Sequence, residues 1–82
     1  MRLDKYLKVS RLIKRRTVAN EACDAGKVFV NGKPARASYD VKIDDVITVT
    51  LGMRSLRVQV VSVQETVTKN DAALLYRILP EE

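Results

Sequence analysis

The stretch from Arg15 to Gly32, RRTVANEACDAGKVFVNG, decides the predicted fold of this chain. Thr17 is a residue type that often caps helix N-termini, and apolar residues follow it at helical spacing. Gly26 suits the left-handed position at which many helices end. The β-forming run at 28–30 comes next, and Asn31-Gly32 is the most typical two-residue hairpin turn. The stretch therefore predicts a short helix that leads directly into a β-hairpin.

Two arginines, Arg15 and Arg16, stand at the start of this predicted helix. The backbone dipole places partial positive charge at a helix N-terminus, so cations at that end do not stabilise the helix. Their position indicates an anionic partner.

Upstream, apolar residues recur every three or four positions between Leu3 and Ile13, which predicts an amphipathic first helix. Leu12 lies off the apolar stripe, so the helix is expected to end or bend near it. Asp4 and Lys8 are spaced for an ion pair one helical turn apart. The basic triplet at 14–16 then lies in the connector to the second helix, where it is placed to meet a phosphate backbone.

Downstream of the hairpin turn, the sequence alternates between short β-forming runs and turns. Pro34 cannot donate to a sheet ladder, so its segment is expected to be an edge strand or a loop. A change in the parity of the apolar residues predicts a one-residue bulge near Val60-Val61. Strands are predicted at 41–43, 46–51 and 56–63, with a turn at Asp44-Asp45 and a hairpin loop at 52–55.

The C-terminal part predicts a third helix, from 72 to 79. Asp71 is placed to cap it and Pro80 to end it. Its expected packing face consists of Leu74, Leu75 and Ile78.

Composition limits the class of protein. Eighty-two residues form one small domain without room for a deep substrate cleft. A single cysteine fits a reducing cytoplasm. Charges near the N-terminus interrupt any signal-peptide pattern, and no run approaches the roughly 20 apolar residues that span a bilayer. The expectation is a cytoplasmic protein that does not associate with a membrane.

Charge is distributed unevenly along the chain. The net charge is +5, but residues 1–42 hold eleven Lys and Arg against four Asp and Glu, whereas residues 43–82 hold four against six. A basic half joined to a mildly acidic half indicates a surface that faces a polyanion. An uneven solvated surface without a partner is the alternative interpretation.

The residues typical of a catalytic site are scarce. The chain has no histidine, which removes the usual general base and the commonest metal ligand. Cys23 lies on the apolar face of the second helix and is interpreted as a buried structural thiol. The pairs Asp44-Asp45 and Glu81-Glu82 are interpreted as solvated charge. We therefore expect no enzymatic activity, no cofactor and no metal.

Basic side chains carry the strongest functional signal. Arginine can hold a phosphate through a bidentate fork, whereas lysine acts as a point charge. Clustering in one half of the chain favours RNA binding, although any single one of these cations could equally be a solvated surface charge. The candidate RNA-binding residues are Arg2, Lys5, Lys8, Arg11, Arg15, Arg16, Lys27, Lys33 and Arg36, and Lys14 belongs to the same cluster.

Aromatic residues are few, so recognition is expected to rest on RNA shape and backbone rather than on base sequence. Tyr6 is assigned to the core. Phe29 could pack or meet a base. Tyr39 is the better candidate for stacking on a base, with a half-buried turn tyrosine as an equal alternative. Duplex DNA is less favoured because neither helix presents a polar face for reading bases.

Four separated pieces of the sequence carry a resemblance to a known family. Arg2-Leu3-Asp4-Lys5-Tyr6-Leu7, Arg16-Thr17 at the start of a helix, residues 26–32 and residues 45–49 occur in the order of the RNA-binding domain named after ribosomal small-subunit protein four, also called the αL motif. The chain resembles this family over residues 1–51 and departs from it at Asp44, where the family usually has glycine.

The resemblance implies an α+β fold, with two N-terminal helices packed on a small, mostly antiparallel sheet and a short C-terminal helix. Residues 1–51 would form the αL-type RNA-binding core, and residues 52–82 would supply the continuing strand and C-terminal helix of the same domain. The implied RNA surface is the helix pair with the start of the hairpin.

Stand-alone members of the family imply a function. The chain is similar to the RqcP-type factors of bacterial ribosome quality control and, next, to the heat-shock protein that rescues stalled ribosomes. This implies a cytoplasmic, ribosome-associated monomer that binds large-subunit rRNA and peptidyl-tRNA. It would support an RqcH-type tailing factor that adds alanine to stalled chains.

Three alternatives remain at this point. A general heat-shock or assembly factor would bind large-subunit rRNA without needing peptidyl-tRNA. A small ribonuclease without histidine would cleave RNA. A protein-interaction adaptor would keep its partner after ribonuclease treatment.

Overall fold

The computed structural model describes residues 1–65 and 67–80 as two short helices packed on an antiparallel sheet, so the predicted α+β class is confirmed. The five strands lie in the order β2-β1-β3-β4-β5. The elements are α1 (Leu3–Val9), α2 (Arg16–Asp24), β1 (Val28–Val30), β2 (Lys33–Pro34), β3 (Val46–Leu51), β4 (Arg54–Val60), a one-turn 3₁₀ helix (Ala72–Leu75) and β5 (Tyr76–Ile78).

The second helix begins two residues before the predicted position. Arg15 occupies the N-cap with extended backbone and makes no capping hydrogen bond through its side chain. The prediction that Thr17 caps α2 is therefore wrong, because Thr17 lies inside the first turn. The two arginines do flank the start of the helix as predicted, Arg15 at its N-cap and Arg16 as its first residue.

The end of α2 and the hairpin after it confirm their predictions. Gly26 is left-handed with φ +73°. Its N–H donates to the Cys23 carbonyl at 3.1 Å, and the Lys27 N–H donates to the Ala22 carbonyl at 3.0 Å. These two bonds form a Schellman motif, which satisfies carbonyls that the helix end would leave free. The motif directs the chain straight into β1.

The β1–β2 hairpin turns through Asn31 and Gly32, whose φ values of 53° and 83° fit a type I′ turn. Asn31 also fixes the neighbouring strand β3. Its Oδ1 accepts from the Val46 N–H at 3.0 Å, and its Nδ2 donates to Asp45 Oδ1 at 3.1 Å. Pro34 lies on the edge strand β2, as its missing N–H predicts.

The first helix ends at Val9, three residues before the predicted end near Leu12. Ser10 caps it, and Arg11 follows in the left-handed conformation with φ 62°. The Ile13 N–H then donates to the Leu7 carbonyl at 3.1 Å and the Ile13 side chain is buried. Residues 10–15 are therefore a compact connector that returns one apolar side chain to the core.

The strand predicted at 41–43 is absent from the described structure, and that prediction is wrong. The Val41 N–H donates to the Met1 carbonyl at 2.8 Å, and Asp40 forms an isolated bridge with Arg2. Ile43 is 60% exposed in a turn. This segment is tied to the chain start rather than to a strand of the sheet, which the local alternation of residues does not reveal.

Strand β4 pairs regularly with β3 and β5 up to Val60. Immediately after it, the N–H groups of Val61 and Ser62 both donate to the Leu75 carbonyl, at 2.9 and 3.1 Å. In a β-bulge, two residues of one strand lie opposite a single residue of its neighbour, as Val61 and Ser62 do opposite Leu75. The predicted bulge near Val60-Val61 thus lies one residue further on, at the end of the paired region.

The predicted C-terminal helix from 72 to 79 is reduced to one 3₁₀ turn followed by β5. Leu75 is buried, but Leu74 and Ile78 of the predicted packing face are 68% and 61% exposed. The side chain of Asp71 makes no capping bond and accepts from the Thr68 hydroxyl instead. Pairing with β4 outweighs the helical spacing of the apolar residues here. Glu81-Glu82 lie outside the described residues.

The core lies between the helix pair and the sheet. Tyr6 is fully buried, as predicted, and its hydroxyl donates to the Leu75 carbonyl at 2.7 Å. Cys23 is buried as predicted, and burial raises the pKa of its thiol to about 11. The core residues include Leu3, Leu7, Ala19, Val28, Val30, Ile47, Val49, Val58 and Val60. Across residues 1–65 and 67–80, no helix has the length and apolar character needed to cross a bilayer.

Candidate RNA-binding surface

Five cations line one groove of about 600 Å³ beside the helix pair. α1 supplies Lys5 and Lys8, the connector supplies Arg11 and Lys14, and α2 supplies Arg16 at its first turn. We call this surface the helix groove. Val9, Glu65 and Val67 complete its lining.

Arg11 reaches the helix groove from a strained backbone. Its φ of 62° lies in the left-handed region, which costs an ordinary L-residue roughly 1–2 kcal/mol relative to glycine. The Arg11 N–H donates to the Lys8 carbonyl at 3.0 Å, a bond that closes the end of α1. The connector therefore has an arginine where glycine would cost less.

Asp4 is a buried carboxylate that organises two of the arginines. Its side chain is 3% exposed, accepts a hydrogen bond from Arg2 Nε at 3.2 Å and forms an ion pair with Arg16 Nε at 3.4 Å. Asn20 Nδ2 donates to it at 3.2 Å, and the Lys5 N–H at 2.8 Å. Because these donors come from both helices, Asp4 joins α1 to α2 and orients the two guanidinium groups.

The Asp4 carboxylate stays ionised in this site. Burial opposes ionisation, but the hydrogen bonds from Asn20, Arg2 and Arg16 outweigh it and hold the pKa of Asp4 below its ordinary range. The predicted Asp4–Lys8 pair is wrong, since the carboxylate is directed to Arg2 and Arg16. One signal in the sequence was available: Asp4 is about 60° from Leu7 around the helix and so borders the buried face.

Glu65 places one negative charge at the helix groove. It forms an ion pair with Lys5, and the hydrogen bond from Lys5 holds the pKa of Glu65 below its ordinary value. Both side chains are accessible, 36% for Lys5 and 70% for Glu65, so a polyanion can compete for the lysine.

The remaining predicted residues lie elsewhere on the surface. Arg2 is half-exposed beside Asp4, and Arg15 is exposed at the N-cap of α2. Lys27 lines a different and more apolar groove with residues of α2 and β3. Lys33 and Arg36 share a third groove. The structure thus gathers Lys5, Lys8, Arg11 and Arg16, together with Lys14, in one groove. Arg2 and Arg15 adjoin Arg16 without lining that groove, and the other three predicted cations lie in different grooves.

This third groove, which we call the hairpin groove, has a volume of about 610 Å³. It lies between the β1–β2 hairpin and the loop that follows it. Lys33, Arg36 and Tyr39 line it, so the tyrosine that the sequence offers for stacking lies beside two cations. Its lining also includes Val30, Asn31, Pro34, Ala35 and Ser38.

Asp45 supports the hairpin groove from behind. It is 8% exposed and accepts from the Tyr39 hydroxyl at 2.9 Å, Asn31 Nδ2 at 3.1 Å and the Lys42 N–H at 3.0 Å. The interpretation of Asp45 as solvated charge is therefore wrong. Asp44 is exposed and left-handed at φ 76°, a conformation that aspartate tolerates better than most residues.

Comparison with known proteins gives a consistent relationship. Residues 1–47 match the S4 domain family. The chain is 54% identical to the RQC P-site tRNA stabilizing factor of Bacillus subtilis, over 100% of this chain and 95% of that protein. It is 35% identical to heat shock protein 15 of Escherichia coli, over 93% of this chain and 58% of that protein.

A solved structure extends this relationship to the fold. Trimeric heat shock protein 15 of Vibrio cholerae superimposes with a TM-score of 0.90 and 31% sequence identity. The match covers 96% of this chain and 81% of that one.

Proposed function

Because the chain belongs to the S4 domain family and to its group of RQC P-site tRNA stabilizing factors, we propose that it binds tRNA held at the ribosomal P site. It acts there as an RNA-binding factor of ribosome quality control. The observation that carries this proposal is the helix groove, where five cations from three consecutive segments converge.

The helix groove suits a phosphate backbone. Two of its five cations are arginines, which can hold phosphate oxygens in pairs. Asp4 orients the Arg16 guanidinium before RNA arrives, so less side-chain entropy is lost on binding. Lys5 can exchange Glu65 for a phosphate of the RNA, because an ion pair this accessible to solvent holds the lysine only weakly.

A second RNA contact fits the separation of the basic residues. The hairpin groove shares no lining residue with the helix groove, so one protein can touch two RNA segments. We assign these segments to the tRNA and to large-subunit rRNA. By neutralising phosphates of both, the protein would hold together two RNAs that otherwise repel each other.

We extend the proposal to a finer role, for which the same family relationship is the support. A tRNA kept at the P site leaves its peptidyl end available, and an RqcH-type tailing factor would then extend the stalled chain with alanine. A cytoplasmic, ribosome-associated monomer is sufficient for this positioning role.

The ribonuclease alternative fits the carboxylates poorly. The oxygens of Asp4 and Asp45 are engaged by several donors each, so these two buried carboxylates are not free to accept a proton from RNA. A binding protein leaves RNA intact, and incubation of purified protein with labelled tRNA, followed by gel analysis, checks this directly.

The test uses purified large ribosomal subunits with and without peptidyl-tRNA, pelleted through a sucrose cushion with purified protein. We expect retention on the tRNA-bearing subunits and loss of retention for Arg16→Ala. Arg54→Ala removes the same charge from an exposed position on β4 and is the matched control.

Two results would contradict the proposal. Equal binding to subunits without tRNA would favour the general rRNA-binding heat-shock or assembly factor. Equal binding of wild type and Arg16→Ala would remove the helix groove from the interaction.

A further inference from the structure

We propose that the hairpin groove binds one unpaired ribonucleotide, with the base against Tyr39 and the phosphate between Lys33 and Arg36. The identity of the ligand as RNA rests on the proposed function. The assignment of this groove to a single splayed-out nucleotide goes beyond that function.

The size and lining of the groove suit a small amphipathic ligand. Its volume of about 610 Å³ is comparable with that of small-molecule sites, roughly 300–1,000 Å³, although the groove is open to solvent on one side. Val30, Pro34 and Ala35 supply apolar surface, and within the described chain no carboxylate side chain lines the groove. A site of this composition accepts a ligand with one flat apolar part and one anionic part.

Tyr39 is held in place for stacking. Its hydroxyl donates to Asp45 Oδ2 at 2.9 Å, and Asp45 is itself held by Asn31 Nδ2 and the Lys42 N–H. The backbone is fixed as well, because the Tyr39 carbonyl accepts from the Leu3 N–H at 2.8 Å. The residue is only half-buried despite these bonds. A base therefore meets an aromatic side chain whose conformational entropy has already been lost.

Lys33 and Arg36 are available to an external anion. Both are exposed, and neither forms an ion pair within residues 1–65 and 67–80. By contrast, Arg2, Lys5 and Arg16 each pair with a carboxylate of the protein. In the hairpin groove, two cations without an ion pair among the described residues thus lie beside apolar side chains.

The combination favours an unpaired nucleotide over a phosphate group alone. A phosphate needs only the two cations and gains nothing from the tyrosine or the apolar floor. A base within a helical stack has both faces covered by its neighbours, whereas an unpaired base that is splayed out has a free face that can stack on an aromatic side chain.

The experiment is a titration of the isotope-labelled protein, followed by two-dimensional NMR of the backbone amides. Three probes are compared: hexauridylate, an abasic ribose-phosphate oligomer of the same length, and inorganic phosphate. We expect hexauridylate to shift the amides of 33–39 at a midpoint at least about fivefold lower than the abasic oligomer. We also expect contacts between Tyr39 ring protons and uracil protons.

Variants assign these effects to named residues. Arg36→Ala is expected to weaken binding at the hairpin groove while leaving the shifts of 5–16 in place, and Arg54→Ala to leave both sets unchanged. Tyr39→Leu removes the aromatic ring and should abolish the advantage of hexauridylate over the abasic oligomer. If Tyr39→Leu fails to fold, the abasic comparison and Arg36→Ala still decide the question.

Three results would overturn the inference. Equal midpoints for hexauridylate and the abasic oligomer would reduce the groove to a backbone contact. Equal effects of inorganic phosphate would reduce it to an anion site. Shifts confined to 5–16 would refute the hairpin groove, and with it the second RNA contact, while leaving tRNA binding at the helix groove intact. Failure of tRNA-bearing subunits to bind would refute the proposed function separately.

Discussion

At the residue scale, Arg11 shows how stability and binding can oppose each other. It occupies a left-handed position that glycine would fill at lower cost, and it lines the helix groove. Backbone strain that persists beside a cluster of cations is consistent with a functional residue. The two effects can be separated by substitution.

We expect Arg11→Gly to stabilise the protein by about 1 kcal/mol. Glycine relieves the backbone strain, and part of this gain is offset because glycine has a greater conformational entropy in the unfolded state. The same variant should bind tRNA-bearing subunits more weakly because a groove cation is lost. Arg11→Ala is the matched control, since it removes the charge but keeps the strain. Urea unfolding and subunit pelleting measure the two effects, and equal stability of the Gly and Ala variants would contradict the strain argument.

A second prediction at this scale concerns Asp4, a negatively charged residue that we expect to favour RNA binding. Asp4→Asn raises the net positive charge by one, which by simple attraction would strengthen RNA binding. If Asp4 positions Arg2 and Arg16, the variant should instead bind tRNA roughly fivefold more weakly. Fluorescence anisotropy with labelled tRNA measures the change, and tighter binding would contradict the positioning role.

The pH dependence of stability follows from the same carboxylate. The folded-state pKa of Asp4 is lowered, so its contribution is present above the unfolded-state pKa and is lost as pH falls through the folded value. Stability should therefore decline below about pH 4, where carboxylates protonate. Asp4→Asn should show a shallower acid-side decline by thermal melts across pH, and an identical slope would contradict this assignment.

At the element scale, Asp45 ties the hairpin turn, the 35–42 loop and the start of β3 together. Its carboxylate accepts from Asn31 Nδ2 in the hairpin turn, and from the Tyr39 hydroxyl and the Lys42 N–H in the loop. Its neighbour Asp44 is exposed and accepts one long hydrogen bond of 3.3 Å from Gln59. The two adjacent aspartates therefore differ in their expected importance.

We predict that Asp45→Asn lowers the free energy of unfolding by about 1–3 kcal/mol, because an amide cannot accept at both oxygen positions. Asp44→Asn should change it by less than about 0.5 kcal/mol, since asparagine tolerates the left-handed conformation. Urea unfolding of both variants checks the pair. Similar losses at the two positions would contradict the assigned roles.

The elements that local chemistry specifies were predictable from the sequence. The Gly26 helix end, the Asn31-Gly32 turn and strands β1 and β3 depend on residues adjacent in the chain. The C-terminal strand was missed because its pairing with β4 overrides a helical spacing of leucines. The buried roles of Asp4 and Asp45 were missed because each carboxylate also binds side chains that are remote in sequence, Asn20 and Arg16 for Asp4 and Asn31 for Asp45.

The candidate site was likewise predictable in part. The sequence identified the basic residues, but not which of them line the same groove, since that depends on how the connector and the hairpin fold back. Lys14 lies three residues after the left-handed turn at Arg11 and lines the helix groove. The Glu65–Lys5 pair links positions sixty residues apart and leaves no local pattern.

At the scale of the whole molecule, the helix groove should determine the salt dependence of RNA binding. If its five cations each neutralise one phosphate, log K should fall by about 3.5 per tenfold increase in salt, at about 0.7 per contact. Lys8→Gln and Lys14→Gln should each reduce the slope by about 0.7, whereas Arg54→Ala should leave it unchanged. Anisotropy with labelled tRNA across a salt series measures the slopes, and a slope unaffected by the groove variants would contradict this assignment.

The most direct measurement for the whole account is sucrose-gradient sedimentation of tagged protein from cells, with Arg16→Ala and Arg54→Ala alongside. We expect wild type and Arg54→Ala to migrate with large subunits that hold peptidyl-tRNA, ribonuclease treatment to release them, and Arg16→Ala to stay at the top of the gradient. Wild type at the top of the gradient, association that survives ribonuclease, or Arg16→Ala sedimenting unchanged would contradict this expectation.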